Sequence, residues 1–150
     1  MKASEIRMKI QRVQDIKRET VQTPEWADVG VESVIVRALS GTARDEFEES
    51  CMRRGKQGMA REFVAQNLRA KMVARCVVDD DDTLVFGDDD VAWLGGKSAA
   101  ALSRIYDVAA RLSRIGAEDL DELIKNSARV QGDGSSTVSH LLSDALDQNS

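Results

Sequence analysis

Through the second half of this 150-residue chain, apolar residues recur at intervals of three and four. Leu102, Ile105, Tyr106, Ala109 and Leu112 fall on one face of a helix, and Val108 and Ile115 widen the stripe. Ser98 and three alanines open this helix, and alanine loses no side-chain entropy there. Arg111 and Arg114 near its end suit the helix dipole, with Gly116 as the expected left-handed cap. Glu118 and Asp119 then begin a shorter helix carrying Leu120, Leu123 and Ile124 on one side. The stretch from Asp88 to Asn126 thus predicts a helical hairpin whose apolar faces need something to pack on.

Upstream, Ile6, Ile10 and Val13 make a short amphipathic helix over residues 2–13, among six bases in the first twenty residues. It is either a docked or frayed terminal helix or a segment for an anionic surface. Pro24 is expected to block a helix, and Gly30 marks a turn. Val34 to Leu39 is rich in β-branched residues and pairs, in this reading, with Arg18 to Val21 as an antiparallel hairpin. Thr42 and Asp45 resemble a capping box for a helix to about Arg54 that buries Phe47 and Cys51. After GKQG, a longer helix is expected from Met59 to about Val77, with Phe63, Val64, Leu68 and Met72 inward. Periodicity leaves open whether Cys76 to Val78 ends as helix or strand. The expected fold is α+β: mainly α-helical, with a small N-terminal antiparallel β-hairpin packed on the helices.

Composition refines this only slightly. A hydrophobic fraction of 42% and a charged fraction of 31% suit one soluble globular domain, here 15–127, preceded by the segment 1–14. Residues 128–150 read as a linker and a short amphipathic segment, with Val138, Leu141, Leu142 and Leu146 on one stripe. That segment is either a docked last helix or a partner-binding peptide. The net charge is −5, but unevenly distributed: Cys51 to Cys76 holds seven bases and one acid, Asp79 to Asp90 seven aspartates and no base. Two cysteines without a cluster imply neither a metal site nor a disulfide. No window approaches a membrane span or a signal peptide, which makes the cytoplasm the simplest location.

Motifs that would carry chemistry fail on inspection. Gly95-Gly96-Lys97-Ser98 imitates the end of a phosphate loop, but Val91 stands where the first glycine is needed, behind three aspartates. Counted from Asp79, a calcium loop would need glycine at Leu84 and glutamate at Asp90. His140 is the only histidine, and no serine or cysteine lies in a nucleophile motif. A non-enzymatic binding protein without cofactor or metal is the expectation. Trp93 and Leu94, just ahead of the main helix, are candidates for a partner-binding patch, although the usual burial of large aromatics favours Trp93 closing the core. The competing class is a small helical nucleic-acid-binding or regulatory protein, using the basic stretch from Arg53 to Arg75.

The phrases DIKRETVQTPEW, VIVRALSGTARDEFE, NLRAKMVARCVVDDDDTLVF and DDVAWLGGKSAAALSRIYDVAARLSRIG, in that order, give the chain a family likeness from Asp15 to Asn126. It resembles the tail assembly chaperones of long-tailed bacteriophages. That resemblance implies a non-virion protein of the host bacterial cytoplasm that coats the tape-measure protein, keeps it soluble and recruits tail-tube subunits. It also implies self-association, no nucleic-acid or membrane partner, and in many phages a frameshifted extended form that contacts the tube protein. The present sequence is compatible with the short form.

Overall fold

A computed structural model describes residues 1–53, 55 and 61–128. A three-stranded antiparallel sheet lies against a layer of helices, so the chain is mixed α+β and mainly helical. Strand β1 (Arg18–Gln22) pairs with β2 (Ser33–Arg37) in the register Arg18↔Arg37 through Gln22↔Ser33. The expected hairpin therefore forms, and it gains a third strand. Val77–Val78 is β5, paired with β2 through Ile35↔Val78 and Val36↔Val77. This resolves the ambiguity at Cys76 to Val78: Cys76 ends a helix and Val77–Val78 is strand, to which Leu84 adds an isolated bridge at Val78.

Because opposite residues of a ladder point to one face, Val21, Val34, Val36 and Val77 share a side of the sheet. Helix α5 (Ala99–Ser113) packs there and against α3 (Leu68–Cys76). Its stripe buries Leu102, Ile105, Tyr106 and Ala109, while Leu112 is half-buried, less than its period suggested. Polar ties fix the helix on the sheet: Leu39 N donates to Ser113 Oγ at 2.8 Å, and Arg111 pairs with Glu19 at 2.6 Å. Helix α6 (Ala117–Ala128) buries Leu120 and Ile124. It leans mainly on β4 (Glu62–Phe63), so the expected helical hairpin does not close only on itself.

Met59 and Ala60, where a longer helix was expected to begin, lie outside the described residues, and the largest departure from the expected elements lies between Arg61 and Asn67. Phe63 is on a strand, with Met52↔Phe63 and Arg53↔Glu62 joining β4 to β3 (Met52–Arg53). Val64 N donates to Cys51 O, and α3 begins only at Leu68. Asn67 breaks any longer helix by adopting φ 58°, a left-handed conformation that asparagine tolerates. Helix α2 (Gly41–Ser50) stops before Arg54 and does bury Phe47 and Cys51. Its cap is Ser40, whose Oγ accepts from Ala43 N at 3.1 Å, in place of Thr42.

Two further caps differ from expectation for identifiable reasons. Pro24 does not exclude helix; it starts a 3-10 turn over Pro24–Val29, where a missing N–H leaves no bond unmade. The left-handed residue after α5 is Arg114, at φ 53°, and not Gly116. Ile115 N bonds back to Ala110 O at 2.8 Å, the Schellman pattern, which turns buried Ile115 into the core. Gly116 instead donates its N–H to Asp119 Oδ2 at the start of α6.

Glu25 on the 3-10 turn takes both terminal nitrogens of Arg104 from α5, at 3.0 and 2.8 Å. That bond holds its carboxyl down from 4.5 to about 2. A depressed carboxylate contributes stability that is present above its ordinary value and lost as pH falls toward the folded one. Stability should therefore decline between pH 4.5 and 2 more steeply for the parent chain than for Glu25→Gln. Urea midpoints measured across that window would check it; parallel curves would contradict the role given to the pair.

Candidate partner-binding surface

The aspartates that bracket this surface are engaged in holding turns. Asp79 Oδ1 accepts from Asp81 N and Thr83 N, both at 2.9 Å, closing the acidic turn after β5. Asp82, at φ 67°, receives Arg37 at 2.9 Å and Arg18 at 3.4 Å from the neighbouring strands. Asp90 closes the short 3-10 turn Asp88–Asp90 by accepting from Gly87 N at 2.8 Å. It also accepts from Trp93 Nε1 at 2.9 Å, and these two bonds, the backbone one foremost, lower its pKa. Among the described residues, no group of three or more His, Cys, Asp or Glu is placed to hold a metal ion.

Trp93 and Leu94 sit side by side on α4 (Val91–Leu94) but differ sharply in burial. Leu94 is 1% exposed and belongs to the core, so it is not available at the surface. Trp93 is 49% exposed, which sets aside the reading that it only closes the core. Its ring meets the edge of Phe86 at 5.9 Å and 71°, and Lys97 Nζ lies 5.9 Å from the ring centre. A Cβ at Gly95 would require the Asn67 side chain to move aside. The glycine pair is thus a tight turn into α5, whose cap Ser98 accepts from Ala101 N at 3.3 Å.

Trp93 borders a groove of about 730 Å³ that runs from the segment 25–31, around the 3-10 turn, across the sheet to Val85 and Phe86. Val29, Val31 and Val85 are exposed along it, and Val34, Ile35 and Val78 contribute from the strands. Sequence reading missed this surface apart from Trp93. The groove is assembled from four separated segments, and the one local signal was valine on both sides of the Gly30 turn. Val138, Leu141, Leu142 and Leu146 lie outside the described residues, as do the remaining residues of the 128–150 tail beyond Ala128.

Elsewhere the surface offers less. Arg53 pairs with Glu62, Arg61 with Glu49, and Arg75, its side chain 11% exposed, with Asp88. Three bases of the stretch considered for nucleic acid are therefore matched by acids. Cys51 and Cys76 are buried free thiols, and burial pushes Cys76 up to about 12. They fill the core. No helix among the described residues is long and apolar enough to cross a membrane.

A family model described as phage tail assembly chaperone matches residues 7–126. Among solved structures, the bacteriophage HK97 tail assembly chaperone is similar at 21% identity and a TM-score of 0.47, over 73% of this chain and 94% of that one. Among curated proteins, no sequence matches significantly. With a family match that spans most of its length, including all of the sheet and the groove, this chain belongs to the phage tail assembly chaperones.

Proposed function

We propose that the chain keeps the tape-measure protein of its phage soluble and helps bring tail-tube subunits to it, in the host bacterial cytoplasm. Family membership implies interaction with tail proteins and a role without catalysis. The observation that carries the finer reading is the exposed apolar groove beside Trp93, since among the described residues after Ile16 the large apolar side chains outside it are mostly buried. A holding protein needs apolar surface that stays open until a partner covers it. It needs neither a nucleotide nor a metal to release energy at that surface. Trp93 is proposed as a contact residue, and the stripe of Val138, Leu141, Leu142 and Leu146 as a second contact on a tether. A tethered motif reaches a neighbouring copy at high effective concentration, which favours oligomers along the partner. A frameshifted extended form is the proposed route to the tube protein.

The test is co-expression with the tape-measure protein, scored by its soluble fraction and its co-purification with this chain. A soluble fraction at least several-fold higher with the chaperone is expected. An equally soluble tape-measure protein with and without the chain would end this reading.

A further inference from the structure

Helix α1 (Ala3–Arg12) has an apolar face, and none of its residues is buried. Every residue from Met1 to Arg18 is exposed. At 3.6 residues per turn, Ala3, Ile6, Ile10 and Val13 form one stripe. Lys2 and Lys9 run along one side of that stripe and Arg7 along the other. A helix this short is marginal alone in water, since nucleation is unfavourable and few bonds repay it. Its face therefore gains most from a surface that covers it.

The groove beside Trp93 has the complementary character. Its apolar lining includes Val29, Val31 and Val85, and beside Glu25, which Arg104 already pairs, three of its lining residues are acids, Asp28, Asp79 and Asp80, against one base, Lys97. We infer that the groove of one copy receives α1 of a second copy, apolar stripe down and basic flanks against the acidic rim. This is helix-in-groove docking, in which spaced apolar residues anchor and charge sets the orientation. The topology favours a neighbour's helix. α1 enters the sheet at the Arg18 end of β1, whereas Val29 and Val31 lie beyond the opposite, Gln22↔Ser33 end. The two surfaces differ, so the contact is head-to-tail, and each copy offers a free helix at one end and a free groove at the other. Such contacts close into rings or extend into filaments. The inference deepens the self-association in the proposed function and rests on it, but not on tape-measure binding.

The experiment uses the purified full-length chain in sedimentation velocity over a wide concentration range. The parent should associate beyond the dimer, and raising salt should weaken association at least tenfold. Two variants then separate the surfaces: Ile6→Asp with Ile10→Asp removes the helix stripe, and Val31→Asp with Val85→Asp spoils the groove. All four positions are exposed, so both variants should retain the parent circular dichroism. Each alone should be monomeric. Mixed in equal amounts they should form a heterodimer, because one supplies an intact groove and the other an intact α1. If the groove variant loses its fold, Lys2→Glu with Lys9→Glu tests the same contact by charge, and should weaken association at least tenfold. A parent that stays monomeric, a variant that associates as the parent does, or a mixture that stays monomeric would overturn the docking. So would a monomeric parent whose groove takes only a tail-protein helix. None of these outcomes involves tape-measure solubility, so the chaperone reading stands or falls separately.

Discussion

Replacing Phe47 with alanine should lower the free energy of unfolding by about 3–5 kcal/mol, the range for deleting a buried aromatic. Whole domains are stable by only about 5–15 kcal/mol, so the variant would stand near the edge of folding. The reason lies in the composition of α2. Its sequence GTARDEFEES is almost wholly polar, and Phe47 is its one buried residue, followed at the C-cap by Cys51. What else ties α2 to the rest is weak: Arg44 bridges to Asp119 at 3.1 Å and Glu49 is paired by Arg61, both with partly exposed side chains. Pairs of that kind contribute roughly 0–1 kcal/mol each. Urea unfolding followed by circular dichroism would give the loss directly. Hydrogen exchange should show α2 amides losing protection before those of α5. A cost under about 1 kcal/mol would mean that α2 is not anchored where Phe47 places it.

How far the sequence could be read depended on how many turns or residues carried each signal. Helix α5 was legible because Leu102, Ile105, Tyr106 and Ala109 repeat one face over several turns, and β2 because three successive β-branched residues leave little alternative. β4 was not legible. Phe63, Val64 and Leu68 also satisfy helical spacing, and a two-residue strand is stabilised by its partner Met52–Arg53 more than by its own propensity. β5 is similar: Val77 and Val78 are strand because Val36 and Ile35 stand opposite them. The αL position at Arg114 went unread because the Schellman turn was selected by burial of Ile115, and no glycine marks it. For the surface, Trp93 could be singled out as a large aromatic beside a turn. Its partners Val29, Val31 and Val85 come from distant segments that converge only once the sheet has formed.

The sharpest division within the candidate surface is between two adjacent residues. Leu94→Ala should lower stability by about 2–5 kcal/mol, because a core leucine loses both its transfer energy and the packing around the cavity left behind. Leu94 is 1% exposed and lies within the same core cluster as Leu68 and Leu102. Trp93→Ala should cost less, about 1.5–2.5 kcal/mol, since roughly half of its side chain is already exposed and a fully buried aromatic would cost about 3–5 kcal/mol. The bond from Trp93 Nε1 to Asp90 is exposed, and water can replace it. The order should reverse in assays of association. Trp93→Ala removes the largest apolar body at the groove's border, so a folded Trp93 variant should bind its partner at least several-fold more weakly. Leu94→Ala, measured at a temperature where it remains folded, should bind nearly as the parent does. Denaturant unfolding and sedimentation on the same two variants settle both halves. If Trp93→Ala is the more destabilised of the two, or if it associates as the parent does, Trp93 is a packing residue and the surface has its contacts elsewhere.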